Sequence, residues 1–260
     1  MLIREESIFH YLNWFVEEWH FAFAGYSDAE WFSILSQREG EATGLGQILS
    51  SAHGKRLLDI LRRRQNDPRF LFAIPKCINQ ISGFAEGQID WFLGRQDIQI
   101  TAYERDRVTD ELAKDGLMYP LVRQLQDMNV VMIGPEPLRV MTPYLKLKHF
   151  IPISTPNLHL EEFGIEKAVA EACKHHREHL NCQTIYLVSA GMSAAVIIDQ
   201  LYSQLSRCWF FDCGSIWDAF AGIGSQRQWR AELYVNADRW KRWKVDNLEG
   251  KHTPINRISC

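Results

Sequence analysis

Apolar and polar positions alternate along this chain with a period that changes from block to block, and the changes mark the elements. Between Glu5 and about His20, the residues Ile8, Tyr11, Leu12, Phe15, Val16 and Trp19 recur at three- and four-residue intervals, the spacing of one face of an amphipathic helix. The compact run Phe21-Ala22-Phe23-Ala24, closed by Gly25, predicts a short buried strand. Helical spacing resumes in DAEWFSILSQ, with Asp28 placed as its N-cap. After a loop holding Gly44 and Gly46 come a basic amphipathic helix, HGKRLLDILRRRQND, and a strand, RFLFAIP, ended by Pro75.

The second half repeats this alternation. A helix over Tyr119 to Gln126 precedes strand NVVMIG, turn GPEP, helix PLRVMTPYL and the short strand HFIPIS. A helix from Ile165 to His179 then leads to strand TIYLVSAG, helix MSAAVIIDQLYSQL and strand CWFFDCG. Strands that are apolar throughout and separated by helices indicate a parallel sheet covered on both faces. The expected class is α/β: Rossmann-like and doubly wound, with a mostly parallel sheet, helices on both faces, and ligands beyond the carboxyl ends of the strands. The 260 residues read as a single domain, with 1–20 an N-terminal helix and 230–260 a basic, aromatic C-terminal extension. The stretch from Gly83 to Gln96 is the one boundary candidate.

Composition narrows the picture. Hydrophobic residues at 46% and charged residues at 23% describe a chain that folds, and they exclude a disordered or fibrous one. A net charge of -3 gives no global attraction to nucleic acid or anionic membrane, so such a partner needs a local patch. No segment reaches the roughly 18 apolar residues of a membrane span, and acidic residues run through the first helix where a signal peptide would be apolar. The expected location is the cytoplasm. Six cysteines without a close C-x-x-C pair read as reduced structural thiols. His175 and His179 in KHHREH lack the HExxH order of a zinc helix and read as a solvated stripe.

Three strand ends carry the candidate chemistry: GYSDAE, IGPEP and VSAGMSAA. The turns at Gly134 and Gly191 expose backbone N–H groups and a positive helix terminus to an anion such as a diphosphate. Neither is a GxGxxG fingerprint or a Walker loop, which disfavours dinucleotide oxidoreductases and P-loop phosphotransferases. Asp28 and Glu30, one residue apart in extended backbone, would project to one side and grip a hard divalent cation, Mg²⁺ or Mn²⁺. The same spacing describes an N-cap Asp and a first-turn Glu that favour the helix dipole. In FFDCGSIWDAFAG, Asp212 closes a strand and Asp218 follows; each is a candidate to bind ligand hydroxyls or to act as general base, or else a strand-end Asp that satisfies loop N–H groups, with Glu136 a rival base. RWKRWK, from Arg239 to Lys244, alternates cations with Trp240 and Trp243, a pattern that would contact phosphates and stack bases or sugars, or else form an exposed helix whose tryptophans pack inward.

With FAFAGYSDAEW, NVVMIGPEPL, IYLVSAGMSAAVIIDQL and FFDCGSIWDAFAG in this order over residues 20–230, the chain resembles the GT-D glycosyltransferases. These are Rossmann-like, metal-dependent enzymes with an Asp-x-Glu motif and nucleotide-sugar donors. The resemblance implies that Asp28 and Glu30 serve the metal and the donor diphosphate, and that Gly134 and Gly191 border the donor cleft, with Gly25, Tyr26, Ser27, Ser189 and Asp212 as further donor contacts. The family's Arg-Phe-Gly-Asp-Gly-Glu is here Gly25-Tyr26-Ser27-Asp28-Ala29-Glu30, without the arginine; Arg105 or Arg227 would supply compensating charge. The implied activity is hexosyl or pentosyl transfer from a nucleoside diphosphate sugar, a UDP-hexose, to a hydroxyl acceptor, either a glycan or a hydroxymethylated base in DNA. Competing readings are a non-catalytic nucleotide- or anion-binding module and an S-adenosylmethionine methyltransferase.

Overall fold

The structure is a computed structural model that describes residues 3–4, 7–43, 46–74, 87–100, 103–105, 108–180, 182–223 and 228–251. Its centre is a sheet of eight strands: β1 (Ile3–Arg4), β2 (Ala22–Gly25), β3 (Phe70–Ile74), β4 (Tyr103–Arg105), β5 (Asn129–Gly134), β6 (His149–Pro152), β7 (Thr184–Val188) and β8 (Cys208–Asp212). They lie in the order β1-β4-β3-β2-β8-β7-β5-β6, and every pairing between them is parallel.

Successive side chains of a strand point to opposite faces, and in β2, β3, β5, β6, β7 and β8 both faces are apolar, so each of these strands feeds two cores. Ala22, Ala24, Phe70, Phe72, Val131 and Ile133 pack on one side with Trp31, Leu57, Ile165 and Ile197. Phe23, Leu71, Ala73, Val130 and Met132 pack on the other with Ile8, Leu121 and Trp243. The first core is covered by α2 (Asp28–Ile34), α3 (Ser51–Arg64), α8 (Gly164–Glu178) and α9 (Ala194–Gln204); the second by α1 (Ile8–Val16), α6 (Tyr119–Gln126) and α12 (Ala237–Glu249). This is the doubly wound arrangement that the uninterrupted apolar strands predict. From β2 the chain winds outward to β3 and β4; the second half returns through β7 to set β8 against the other side of β2. The sheet therefore has its topological switch point between β2 and β8, where such sheets open a crevice.

Several expectations need correction. The helix expected over PLRVMTPYL is a 3-10 turn, Glu136–Met141, followed by the short α7 (Thr142–Leu145). Pro143 has no amide to donate, so a continuous helix would break there. The weakly patterned α4 (Gln88–Arg95), α5 (Val108–Lys114), α10 (Asp218–Ala221) and α11 (Gln228–Tyr234) are added to the predicted elements, as are β1 and β4. Gly44, Pro75, Cys77, Gly83, Arg227 and Cys260 lie outside the described residues. Cys173, Cys182, Cys208 and Cys213 are free thiols. Among the described residues no helix is long and apolar enough to cross a membrane.

His175 is not part of a solvated stripe. It is buried between the stacked rings of His149 and His179, 4.8 and 4.3 Å away; burial, reinforced by these imidazoles, pushes its pKa down to about 4. The tryptophans of RWKRWK also face inward. Trp243 is buried with its indole N–H on the Ala113 carbonyl, Trp240 donates to the Ala219 carbonyl at 3.0 Å, and the Lys244 ammonium reaches the Phe220 carbonyl at 2.9 Å. Rings engaged in this way offer no stacking platform to a nucleic acid.

Candidate functional site

At the switch point the ends of β2 and β8 are tied together. The Gly25 N–H donates to Asp212 Oδ2 at 3.0 Å, and the Gly214 N–H donates to Asp212 Oδ1 at 2.8 Å. A Cβ on Gly25 would stand 2.6 Å from Asp212 Oδ2, so the absent side chain is what lets the carboxylate reach the backbone. Gly25→Ala should displace Asp212 and cost about 1–3 kcal/mol, the range for forced overpacking. A thermal melt checks this against Gly94→Ala in α4, where a Cβ meets nothing within 4 Å and stability should hold or rise.

Beyond Gly25 the chain turns into α2, and the geometry of the acidic pair differs from the expectation. Ser27, in extended conformation, is the N-cap, making Asp28 the first helical residue and Glu30 the third. The two carboxylates therefore do not project in parallel from extended backbone. Glu30 folds back over the cap, its Oε2 accepting from the Ser27 N–H at 2.9 Å and the Ser27 hydroxyl at 2.7 Å, while Asp28 is exposed. Both still line one cleft with Ser27 and Asp212. Glu30 is only 6% exposed. Burial, with smaller contributions from the charges of Asp212 and Asp28, pushes its carboxyl up to about 7 against the opposing Ser27 hydrogen bonds. Tyr26 is a further correction: it is fully buried in the core beneath α3, its hydroxyl donating to the Leu57 carbonyl at 3.2 Å, and it does not line the cleft.

The end of β7 supplies Ser189 and Gly191 to the same cleft. Gly191 has φ +54° and opens the turn that becomes α9, and Gln47 lies against it. The turn is held from α3 by His53, whose Nε2 sits 2.8 Å from the Met192 carbonyl. Since a carbonyl only accepts, that nitrogen carries the proton, and burial keeps the ring neutral by pushing its pKa down to about 4.

From β5 only Pro135 reaches the cleft wall. Gly134 lies behind it, where a Cβ would stand 3.0 Å from Leu138 Cδ1 and 3.5 Å from Ser189 Cβ, so this glycine serves packing. Glu136 is exposed, paired with Arg139 at 2.5 Å and absent from the cleft lining. Its neighbour turns it outward, and it is corrected from the set of candidate bases.

After β8, the loop from Cys213 to Trp217 leads to half-buried Asp218 at the start of α10, and Asp218 lines the cleft. Sequence reading missed what holds this loop. Arg230 of α11, fully buried, donates to the Ser215 carbonyl at 2.8 Å, to the Ser215 hydroxyl at 3.1 Å and to Asp110 of α5 at 2.9 Å. Gln47, Asp110 and Ser215 were likewise not singled out. The segment GSQRQWR drew attention to Arg227, and no local pattern distinguishes its buried arginine from an exposed one. The Arg105 side chain is also outside the described residues.

The cleft has a volume of about 450 Å³, ample for a small-molecule ligand. Its described lining includes Asp28, Glu30, Asp110, Asp212 and Asp218 and no lysine, arginine or histidine; Asp110 is paired with Arg230 behind the wall. Among the described residues, no group of three or more His, Cys, Asp or Glu side chains is arranged to enclose a metal ion by itself.

Fold and cleft together define a doubly wound parallel α/β protein with an acidic crevice at its switch point. The particular fold is that of two solved structures. One is a selenomethionine-substituted structure of domain of unknown function 1792, matched with a TM-score of 0.56 at 14% identity over 90% of this chain and 82% of that one. The other is described as showing that the highly conserved domain of unknown function 1792 has a distinct glycosyltransferase fold, matched with a TM-score of 0.51 at 14% identity and the same coverage. No protein-family model and no curated protein matches the sequence.

Proposed function

We propose that this protein is a metal-dependent glycosyltransferase that takes a sugar from a nucleoside diphosphate donor, a UDP-hexose, and passes it to a hydroxyl of a glycan. The observation that carries the reading is the cleft at the switch point of a glycosyltransferase-type fold, with Glu30 buried in its wall beside Asp28 and Asp212. A carboxyl raised by burial in a cleft wall, with further carboxylates beside it, is a frequent property of functional sites.

The donor set fits a cation shared with substrate. Ser27 engages Glu30 Oε2, which leaves the other oxygen and the exposed Asp28 carboxylate. Mg²⁺ and Mn²⁺ commonly bind through one or two carboxylates and complete their shell with water and substrate phosphates. When bound, such an ion offsets the charge that develops on the departing nucleoside diphosphate. The chain supplies the rest. Asp212 accepts a backbone N–H on each oxygen, which assigns it to holding the β2 and β8 ends in place. Asp218 is then the general base for the acceptor hydroxyl. The inward-facing tryptophans of α12 favour a glycan over modified DNA as acceptor.

Incubation with a panel of nucleotide sugars and Mn²⁺ should release nucleoside diphosphate, slowly by hydrolysis without acceptor, and EDTA should stop it. Silence across the panel would favour a binding module instead.

A further inference from the structure

Two polar groups of the cleft lining, the Asp110 carboxylate of α5 and the Ser215 hydroxyl of the loop after β8, are mounted on one buried cation. Arg230 Nη2 donates to Asp110 Oδ1 at 2.9 Å, while its Nη1 donates to the Ser215 carbonyl at 2.8 Å and to the Ser215 hydroxyl oxygen at 3.1 Å. The guanidinium is a rigid planar fork and is fully buried, so it fixes the separation of two groups that come from distant parts of the chain. The Trp229 indole N–H also reaches Asp110 Oδ2, at 3.4 Å. Neither Trp229 nor Arg230 lines the cleft, so both hold the carboxylate from behind.

A carboxylate offers about four lone-pair sites, and a hydroxyl that accepts one bond still has its own hydrogen to give. The pair therefore presents an acceptor and a donor side by side. That is the complement of an alcohol, which gives one hydrogen bond and takes another. The Ser215 carbonyl also accepts the Asp218 N–H at 3.2 Å, which sets the pair one turn from the general base. A sugar with one hydroxyl seated between Asp110 and Ser215 brings a neighbouring hydroxyl toward Asp218. Asp110 and Asp218 share this stretch of wall, and the described lining holds no lysine, arginine or histidine, so a sugar with its own negative charge is disfavoured.

We infer that Asp110 and Ser215, clamped on Arg230, form the subsite for an uncharged sugar whose neighbouring hydroxyl is the acceptor. This deepens the transferase reading and rests on it for the sugar's role as acceptor. The test starts from binding: saturation-transfer NMR titration of the full chain with the methyl glycosides of glucose, galactose, N-acetylglucosamine and glucuronic acid. At least one neutral glycoside should bind, and the glucuronide about ten-fold more weakly. Ser215→Ala, which keeps the carbonyl contact to Arg230, should weaken neutral binding about five-fold, the scale of one hydrogen bond. Asp110→Asn should weaken it about ten-fold, because the lost partner is charged, and should narrow the discrimination against the glucuronide. Circular dichroism melts confirm that the variants are folded; should Asp110→Asn unfold, Ser215→Ala decides alone. In turnover the losses should fall on the KM of the glycoside and not on that of the donor, a split that a merely structural role would not produce. No glycoside bound by the wild type, glucuronide bound as well as the neutral sugars, or unchanged affinity in the folded variants would overturn the inference. A silent donor panel with the glycoside binding as described would remove the transferase reading and leave a subsite for a neutral sugar.

Discussion

Glu30→Gln is expected to slow nucleoside diphosphate release severely and, at pH 8, to make the fold more stable than the wild type. Burial raises this carboxyl from 4.5 to about 7. At roughly 1.4 kcal/mol per pH unit, that amounts to about 3 kcal/mol between its protonated and ionised forms. With the folded-state value above the unfolded one, the proton-linked contribution to stability is fully present below about 4.5 and lost as pH rises through about 7. The amide avoids that loss and still offers Ser27 an oxygen. Melts of the two proteins should coincide near pH 4, and their gap should open to about 3 kcal/mol by pH 8. Activity should fall by about 10²–10³-fold, the scale for removing one electrostatic stabiliser. Cation affinity of the wild type should weaken as pH falls through about 7, because a bound ion must displace the Glu30 proton. A pH-independent gap, or a fully active amide variant, would contradict this account of the acidic wall.

The second large effect is expected at Arg230. Its guanidinium is 0% exposed and its partner Asp110 14% exposed, so Arg230→Met leaves a carboxylate without its buried counter-charge. Breaking such a pair from one side costs about 3–5 kcal/mol, which for a chain of this size lowers the melting temperature by roughly 10 °C. The Ser215 carbonyl and hydroxyl lose their donor in the same substitution, so activity should fall even at temperatures where the variant is folded. Asp110→Leu combined with Arg230→Met should recover part of the stability and none of the loop anchoring. Unchanged melting in the single variant would show that Arg230 does not brace the cleft.

How much of this was legible in the sequence depended on whether local pattern or distant partners decided each feature. β2, β3, β5, β7 and β8 were readable because both of their faces are apolar. β4 was not: Glu104 in its centre is fully buried, met there by Arg4 of β1 and the Tyr11 hydroxyl of α1, contacts that no window of residues displays. The turn carrying Asp28 and Glu30 was visible as a carboxylate pair where a strand gives way to a helix. Its geometry was set by one neighbour, Ser27, whose capping role draws Glu30 inward. Gly25 was legible as a turn glycine, but its reason, the approach of Asp212 from 187 residues away in the chain, was not. Gln47 and Arg230 act entirely through contacts of this kind.

The inward-facing end of α12 has a consequence for truncated chains. The carbonyls of Ala219 and Phe220, beside Asp218, are satisfied by Trp240 and Lys244, so the segment bearing Asp218 is steadied by a helix that follows it in the chain. A nascent or clipped polypeptide that stops short of that helix would carry every carboxylate of the crevice and yet lack a steady floor beneath it.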